Sequence, residues 1–116
     1  MREIKFRAWD SKQKSMSFGE FKNGVIVWDG LLMNDANKNI MQFTGLKDKN
    51  GKEIFEGDII KENNISDGEH IRKVVFQKGG FWLEGQGGSG GWLFIPLRLE
   101  VIGNIYENPE LLEGLK

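Results

Sequence analysis

Apolar and polar side chains alternate through the first stretch of the chain. Over residues 3–9 the order Glu, Ile, Lys, Phe, Arg, Ala, Trp places Ile4, Phe6 and Ala8 on one face of an extended segment and Lys5, Arg7 and Trp9 on the other. The pattern predicts a strand with Ile4 and Phe6 toward the core and the Lys5, Arg7, Trp9 face turned away from it. Residues 10–14 are a polar turn, and Met16 and Phe18 resume the alternation. Phe21, then Asn23-Gly24, then Val25–Trp28 predicts a hairpin, because Asn and Gly tolerate the positive φ of a tight turn. Asp29-Gly30 closes it; residues 31–38 have no period and read as a loop or one helical turn, and residues 40–44 read as a further strand.

The segment TGLKDKNGKEIFEGDII, residues 44–60, fixes a register through its charges. A two-residue Asn50-Gly51 loop sets Lys49 opposite Lys52 and Asp48 opposite Glu53, which repel across a ladder. A three-residue loop, Lys49-Asn50-Gly51, with a glycine bulge instead sets Asp48 opposite Lys52, Lys47 opposite Glu53 and Leu46 opposite Ile54. The second register is predicted, with a sharp corner at Gly57-Asp58 that feeds a strand through Ile59 and Ile60.

Residues 61–69 are polar and read as a loop or hairpin tip. Residues 71–77 and 81–84 read as strands joined by Lys78-Gly79-Gly80. The glycine-rich run 85–91 formally holds G-x-G-x-x-G, but Trp92 to Pro96, immediately after it, is strand-like rather than helical, so a dinucleotide loop is not supported and a flexible hairpin loop is expected. Residues 99–106 form a last strand in which Gly103 marks a bulge or a close backbone approach. Asn108-Pro109-Glu110 then starts a short terminal helix ending near Gly114, with Leu111, Leu112 and Leu115 on its buried side.

Composition changes this picture little. A chain of 116 residues is one domain, 1–116, large enough to bury a core, and 16 glycines, 2 prolines and 11% aromatic residues suit a turn-rich β protein. The fold class is therefore mainly β: a hairpin-rich, small, barrel-like sheet, partly SH3-like, with a short C-terminal helix. With no cysteine, disulfides and thiolate metal sites are excluded, and a reducing compartment, the cytoplasm, is expected. Lys and Arg number 16 against 17 Asp and Glu, so no global field attracts phosphate backbones or anionic lipid. No signal peptide or membrane-spanning stretch is visible.

Candidate chemistry is sparse. The Asp48 to Gly51 spacing does not fit an EF-hand, and Gly51-Lys52 lacks the Ser or Thr of a phosphate loop. His70 is the only histidine, so a metal or Ser-His-Asp site would need carboxylates or Ser66 brought in by the fold. Glu56 with Asp58, or Asp67 with Glu69, are better explained as turn formers than as acid and base. No catalytic residue, cofactor or metal is expected.

Three blocks, IKFRAWD, MQFTGLKDKNGKEIFEGDII and VIGNIYENPEL, together resemble the YopX family of small phage and prophage proteins. The resemblance spans nearly the whole chain and implies a mostly β fold and a phage or prophage origin; it brings no catalytic or binding residues with it. The middle block also resembles strand entries of SH3-like barrels, an analogy of fold alone.

Two surfaces are expected to carry function. A protein-interaction module, self-associating or bound to a host protein through sheet edges, has Lys5, Arg7 and Trp9 as its first partner surface. The alternative is a nucleic-acid binder that uses an aromatic and basic sheet face of Arg72, Lys73, Trp82 and Trp92.

Overall fold

A computed structural model describes residues 4–28, 38–64, 68–77, 79–85, 88–89 and 99–115. Among these residues the elements occur in the order β1 (Lys5–Asp10), β2 (Ser15–Lys22), β3 (Val25–Trp28), β4 (Lys38–Lys47), β5 (Glu53–Phe55), β6 (Asp58–Asn64), β7 (Gly68–Gln77), β8 (Gly80–Gly85), β9 (Gly88–Ser89), β10 (Leu99–Asn104) and a 3-10 helix, Pro109–Leu115. They build two five-stranded antiparallel sheets, β3-β2-β1-β4-β5 and β10-β6-β7-β8-β9. The mainly β fold with a short terminal helix is thus as the sequence implies, with the strands divided between two sheets.

The turns obey the local chemistry. Lys22 pairs with Val25 across a two-residue loop in which Asn23 and Gly24 take φ of 51° and 84°. At the second Asn-Gly, Lys47 pairs with Glu53, Asp48 N–H donates to Lys52 O at 2.8 Å, and Gly51 takes φ of 83°. This is the three-residue bulged loop that charge matching selects. The Leu46–Ile54 pairing is corrected: the register shifts between Phe43 and Lys47, Gly45 takes φ of 91°, and Thr44 Oγ1 donates to Ile54 O at 2.8 Å. Gly57, at φ 88°, turns the next corner, where a Cβ would lie 2.9 Å from Met41 Sδ.

The polar stretch 61–69 is mostly ladder rather than loop. Lys61 pairs with Ile71, Glu62 with His70 and Asn63 with Glu69, because cross-strand contacts such as Lys61–Glu69 and Arg72–Glu62 replace apolar packing there. Residues 65–67, the hairpin tip, lie outside the described residues, as does the loop expected over 29–37. Within the glycine-rich run, Gly88 and Ser89 pair back onto Gly85 and Glu84; its remainder and the stretch 90–98 are not described.

Gly103 marks the expected bulge, and what approaches it closely is a side chain rather than backbone. The register breaks between Val101 and Gly103, and a Cβ at Gly103 would sit 2.5 Å from Asn108 Oδ1. That amide does not cap the helix with its side chain: it turns back and accepts from Asn104 N at 3.2 Å, leaving the Asn108 carbonyl to receive Leu111 N. Of the leucines expected on its buried side, Leu111 is exposed and Leu112 half-buried, and the Leu115 side chain lies outside those described.

The core is centred on the second sheet. Ile60, Val74, Leu83 and Leu99 cluster with Ile54, which β5 of the first sheet inserts among them, and Phe81 and Val101 pack against the group. Backbone bonds join the sheets at the same place: Lys49 N to Leu99 O, Gly57 N to Val74 O and Ile105 N to Gly57 O.

Candidate interaction site

The face of the first strand that was expected to point outward is covered, while on the other face Ala8 is buried as expected and Ile4 is exposed. Arg7 and Trp9 are only 6% and 7% exposed, so Lys5, Arg7 and Trp9 do not form an outer surface. Each has a partner inside: Lys5 is ion-paired with Glu53, Trp9 stacks on Tyr106 at 6.1 Å and 18°, and Arg7 Nη2 donates to Asp58 Oδ1 at 2.7 Å and to Glu56 O at 3.3 Å. The Arg7 guanidinium also lies over Phe55, 4.7 Å from its centroid. A buried charge is tolerated only when paired and hydrogen-bonded, and Asp58 meets this by accepting Phe55 N on its other oxygen at 2.7 Å. Burial pushes the Asp58 carboxyl above its ordinary range, and the Arg7 charge and the Phe55 bond pull it back in part. One atom stays unsatisfied: Arg7 Nε is buried without a partner among the described residues.

Asp48 solves the same problem differently. It is buried at the tip of the 48–52 loop, where Oδ1 accepts Asn50 N at 2.8 Å and Lys52 N at 2.9 Å, and Oδ2 accepts Val101 N at 2.9 Å. Burial pushes its carboxyl up, but the three backbone donors and the Lys52 charge outweigh that and hold it below its ordinary range. The loop is a clasp onto β10.

The aromatic and basic face does not assemble as one surface. Val74 pairs with Leu83 and Arg72 with Gly85, which puts Arg72 on the core-facing side of β7; Lys73 and Val75, paired with Glu84 and Trp82, share the other side. Both cations are engaged, Arg72 Nε with Glu62 at 2.7 Å and Lys73 with Glu84 at 3.3 Å, and Trp82 Nε1 donates to Gln77 O at 2.9 Å. Trp92 lies outside the described residues.

What the sequence reading missed is the outer face of the first sheet. The registers set Ile26 beside Phe21, Trp28 beside Gly19, Gly19 beside Phe6, Phe6 beside Gln42, and Ser17 beside Ala8 and Ile40, while Phe21 N donates to Ile4 O. Among these residues none is charged; Asp10, beside Ser15, is the next residue of β1 on this side. Four are large and open to solvent: Ile4 46%, Phe21 49%, Ile26 37% and Ile40 57%. Gly19 helps to flatten the face, since a Cβ there would lie 2.8 Å from Trp28 Cε3, so the indole lies across β2. Alternation alone showed that Ile4 and Phe6 share a side, but not which side was covered; the buried side was decided by Glu53 and Asp58, far away in sequence.

A cleft of about 410 Å³ opens between the sheets. Arg7 and Asp58 line it together with Met16, Phe18 and Lys52 from the first-sheet side and Val101, Ile102, Gly103, Asn104, Glu107 and Asn108 from the C-terminal side. No set of three metal-ligating side chains occurs among the described residues, and His70 sits in the β6–β7 ladder opposite Glu62. Among those residues no helix is long and apolar enough to cross a membrane.

Comparison with known proteins agrees with this architecture. The YopX protein family matches residues 21–113. The crystal structure of protein EF1440 from Enterococcus faecalis is 31% identical and superposes with a TM-score of 0.66, covering 95% of this chain and 98% of its own. The SPbeta prophage-derived uncharacterized protein YopX of Bacillus subtilis strain 168 is 30% identical over 121 residues, 93% of this chain and 89% of that protein. The crystal structure of yopX from Bacillus subtilis is 22% identical with a TM-score of 0.59, covering 94% of this chain and 98% of its own, a likeness of fold.

Proposed function

The chain belongs to the YopX family, and on that premise we propose that it is a non-catalytic interaction module, active in the cytoplasm of a phage-carrying bacterium, whose first-sheet outer face takes a second copy of the chain. The observation that carries this reading is the apolar patch of Ile4, Phe6, Phe21, Ile26, Trp28 and Ile40, bordered on the same face of β1 by Asp10. An apolar patch is best matched by another apolar patch, and a two-fold axis brings this one onto itself. Two such sheets pack face to face about 10 Å apart, as in a sandwich.

The area sets the strength. The four exposed side chains leave on the order of 400 Å² of apolar surface, the scale of a functional patch on a monomer. Even with Phe6 and Trp28 added, this is below the roughly 800 Å² that each partner buries in a stable complex, so the dimer forms and separates with concentration.

Light scattering after size exclusion tests this directly. The mass should rise from monomer toward dimer between micromolar and millimolar concentration, and Ile40→Lys should hold it at monomer. A mass that stays monomeric throughout, or a dimer unchanged by Ile40→Lys, removes the proposed interface.

A further inference from the structure

A sheet has two kinds of open surface, its faces and its edges, and the edges of this molecule are not treated alike. An edge strand presents a row of backbone donors and acceptors, and proteins shorten, cover or charge it. Among the described residues the edges are β3 and β5 of one sheet and β10 and β9 of the other. β5 has three residues and gives Phe55 N–H to Asp58; β9 has two; β10 gives Val101 N–H to Asp48, while Leu99 O accepts Lys49 N–H. β3 has no such device. Its sequence, Val-Ile-Val-Trp, holds no charge and no proline, its register against β2 runs without a shift, and Val25 and Val27 are more than half exposed.

The register shows which backbone groups are open. Phe21 N–H is donated to Ile4 O, so the Phe21–Ile26 pair is not a hydrogen-bonded one. By alternation, Val25 and Val27 direct their N–H and C=O to β2, and Ile26 and Trp28 direct theirs outward. No strand meets these groups among the described residues. Only an extended backbone matches such a row, so the occupant is a strand. It must be apolar on both faces, because Val25 and Val27 lie on one face of β3 and Ile26 and Trp28 on the other. β3 is itself such a strand.

We infer that β3 pairs antiparallel with β3 of a second copy about a two-fold axis through Val27. Ile26 then faces Trp28 of the second copy in hydrogen-bonded pairs, and Val27 faces its own counterpart in the close, non-hydrogen-bonded pair between them. A register centred on Ile26 would set Trp28 against the turn at Gly24 and engage fewer of the open groups. The axis stands normal to the sheet, which leaves the apolar patches of both copies on one side, joined edge to edge. The patch doubles, from on the order of 400 Å² to about 800 Å², the area that each partner buries in a stable complex. That enlarged face rests on the proposed sheet-face contact; the edge pairing does not. A pair of four-residue strands is short-lived by itself, so it leaves Ile40→Lys monomeric in mass.

The chain has no cysteine, so one introduced thiol reports the contact. Val27→Cys, incubated as the full chain with oxidised glutathione, should form a disulfide-linked pair about tenfold faster than Val25→Cys. In the inferred pairing the two Val27 Cα atoms are about 4.5 Å apart and the two Val25 Cα atoms about 14 Å, too far for a disulfide. Both are open valines on the same face, so thiol access alone does not separate them. Adding Ile40→Lys should leave the cross-linking rate unchanged. The inference is overturned if neither variant cross-links, if Val25→Cys does so as fast, or if Ile40→Lys abolishes the reaction. Light scattering on the linked pair tests the face apart from the edge. Four chains are expected below the concentration at which the parent dimerises; two chains throughout remove the sheet-face contact while the edge pairing stands.

Discussion

Two hairpins in this chain carry the same dipeptide at their tips and end in opposite situations. Asn23-Gly24 closes β2 onto β3 with both residues at positive φ, and the strands it joins project Phe21, Val25, Ile26 and Val27 into solvent. Asn50-Gly51 closes β4 onto β5 with only the glycine at positive φ, and its tip is drawn in: Asp48 holds two donors of its own loop and one of β10. The difference lies just upstream of each loop. Asp48 precedes the second loop and can act as an acceptor for it, whereas Lys22 precedes the first and cannot. A buried carboxylate turns a hairpin into a joint between sheets; without one, the hairpin remains a free surface.

The strongest way to break the contrast lies at the far end of the second hairpin. Asp58→Ala leaves the Arg7 guanidinium buried without its counter-charge and Phe55 N without its acceptor, and should cost about 3–5 kcal/mol in urea unfolding. A loss under about 1 kcal/mol is inconsistent with a buried pair. Joint replacement, Arg7→Met with Asp58→Leu, should recover much of that loss, because the uncompensated charge goes with the pair.

Asp48→Ala comes next, at about 2–3 kcal/mol, since one ionised acceptor serves three backbone donors. The pH dependence carries a sign. The folded Asp48 carboxyl lies below its ordinary value of 3.8, so its contribution is complete above that value and is lost as pH falls through the folded pKa. Asp58 is raised, so its folded state holds the proton more tightly and its share falls as pH rises from 3.8 to the folded pKa. Acid unfolding curves of Asp48→Asn should therefore lose the destabilisation seen below about pH 4 in the parent; an unchanged acid limb rules out Asp48 as its source.

The two tips can then be compared residue by residue. Gly24→Ala and Gly51→Ala should cost about 1–2 kcal/mol each, as both glycines sit near φ 84° and 83° with open space around them. The asparagines should differ. Asn23→Ala, at φ 51°, should cost about 1 kcal/mol, and Asn50→Ala, without positive φ, less than about 0.5. Equal thermal shifts for the two would deny that the turns differ in type.

The smallest expected change sharpens the functional side. Phe21→Ser on the free hairpin should alter stability by less than about 0.5 kcal/mol while reducing the concentration-dependent mass in light scattering. A large loss of stability would make Phe21 part of the core rather than of an interface.

Much of this was legible in the chain, and the limits have physical causes. Lys47 opposite Glu53, the bulge at Gly103 and the Asn23-Gly24 turn were readable because each depends on neighbours within a few residues. The orientation of β1 was not. Hydrophobicity placed Ile4 and Phe6 inside, yet Lys5, Arg7 and Trp9 are covered because Glu53, Asp58 and Tyr106 come to meet them from the other end of the fold. Asp58 itself reads locally as a turn former after Gly57, and nothing in its spacing reveals a cation 51 residues earlier. Arg72, Lys73 and Trp82 are near in sequence, but adjacent positions of a strand point to opposite faces and register decides what they share.

The clasp at Asp48 also sets an order of events during synthesis. Its loop is complete in the growing chain long before Val101, 53 residues later, exists to fill its last acceptor site. Arg7 likewise waits 51 residues for Asp58. Pairings so distant close slowly, because the chain loses its freedom before the contact repays it. The nascent protein therefore makes its hairpins early and its interior last, and a chain released before β10 has emerged would hold its two sheets by Arg7–Asp58 and Gly57–Val74, without the clasp at Asp48 or Leu99 in the core.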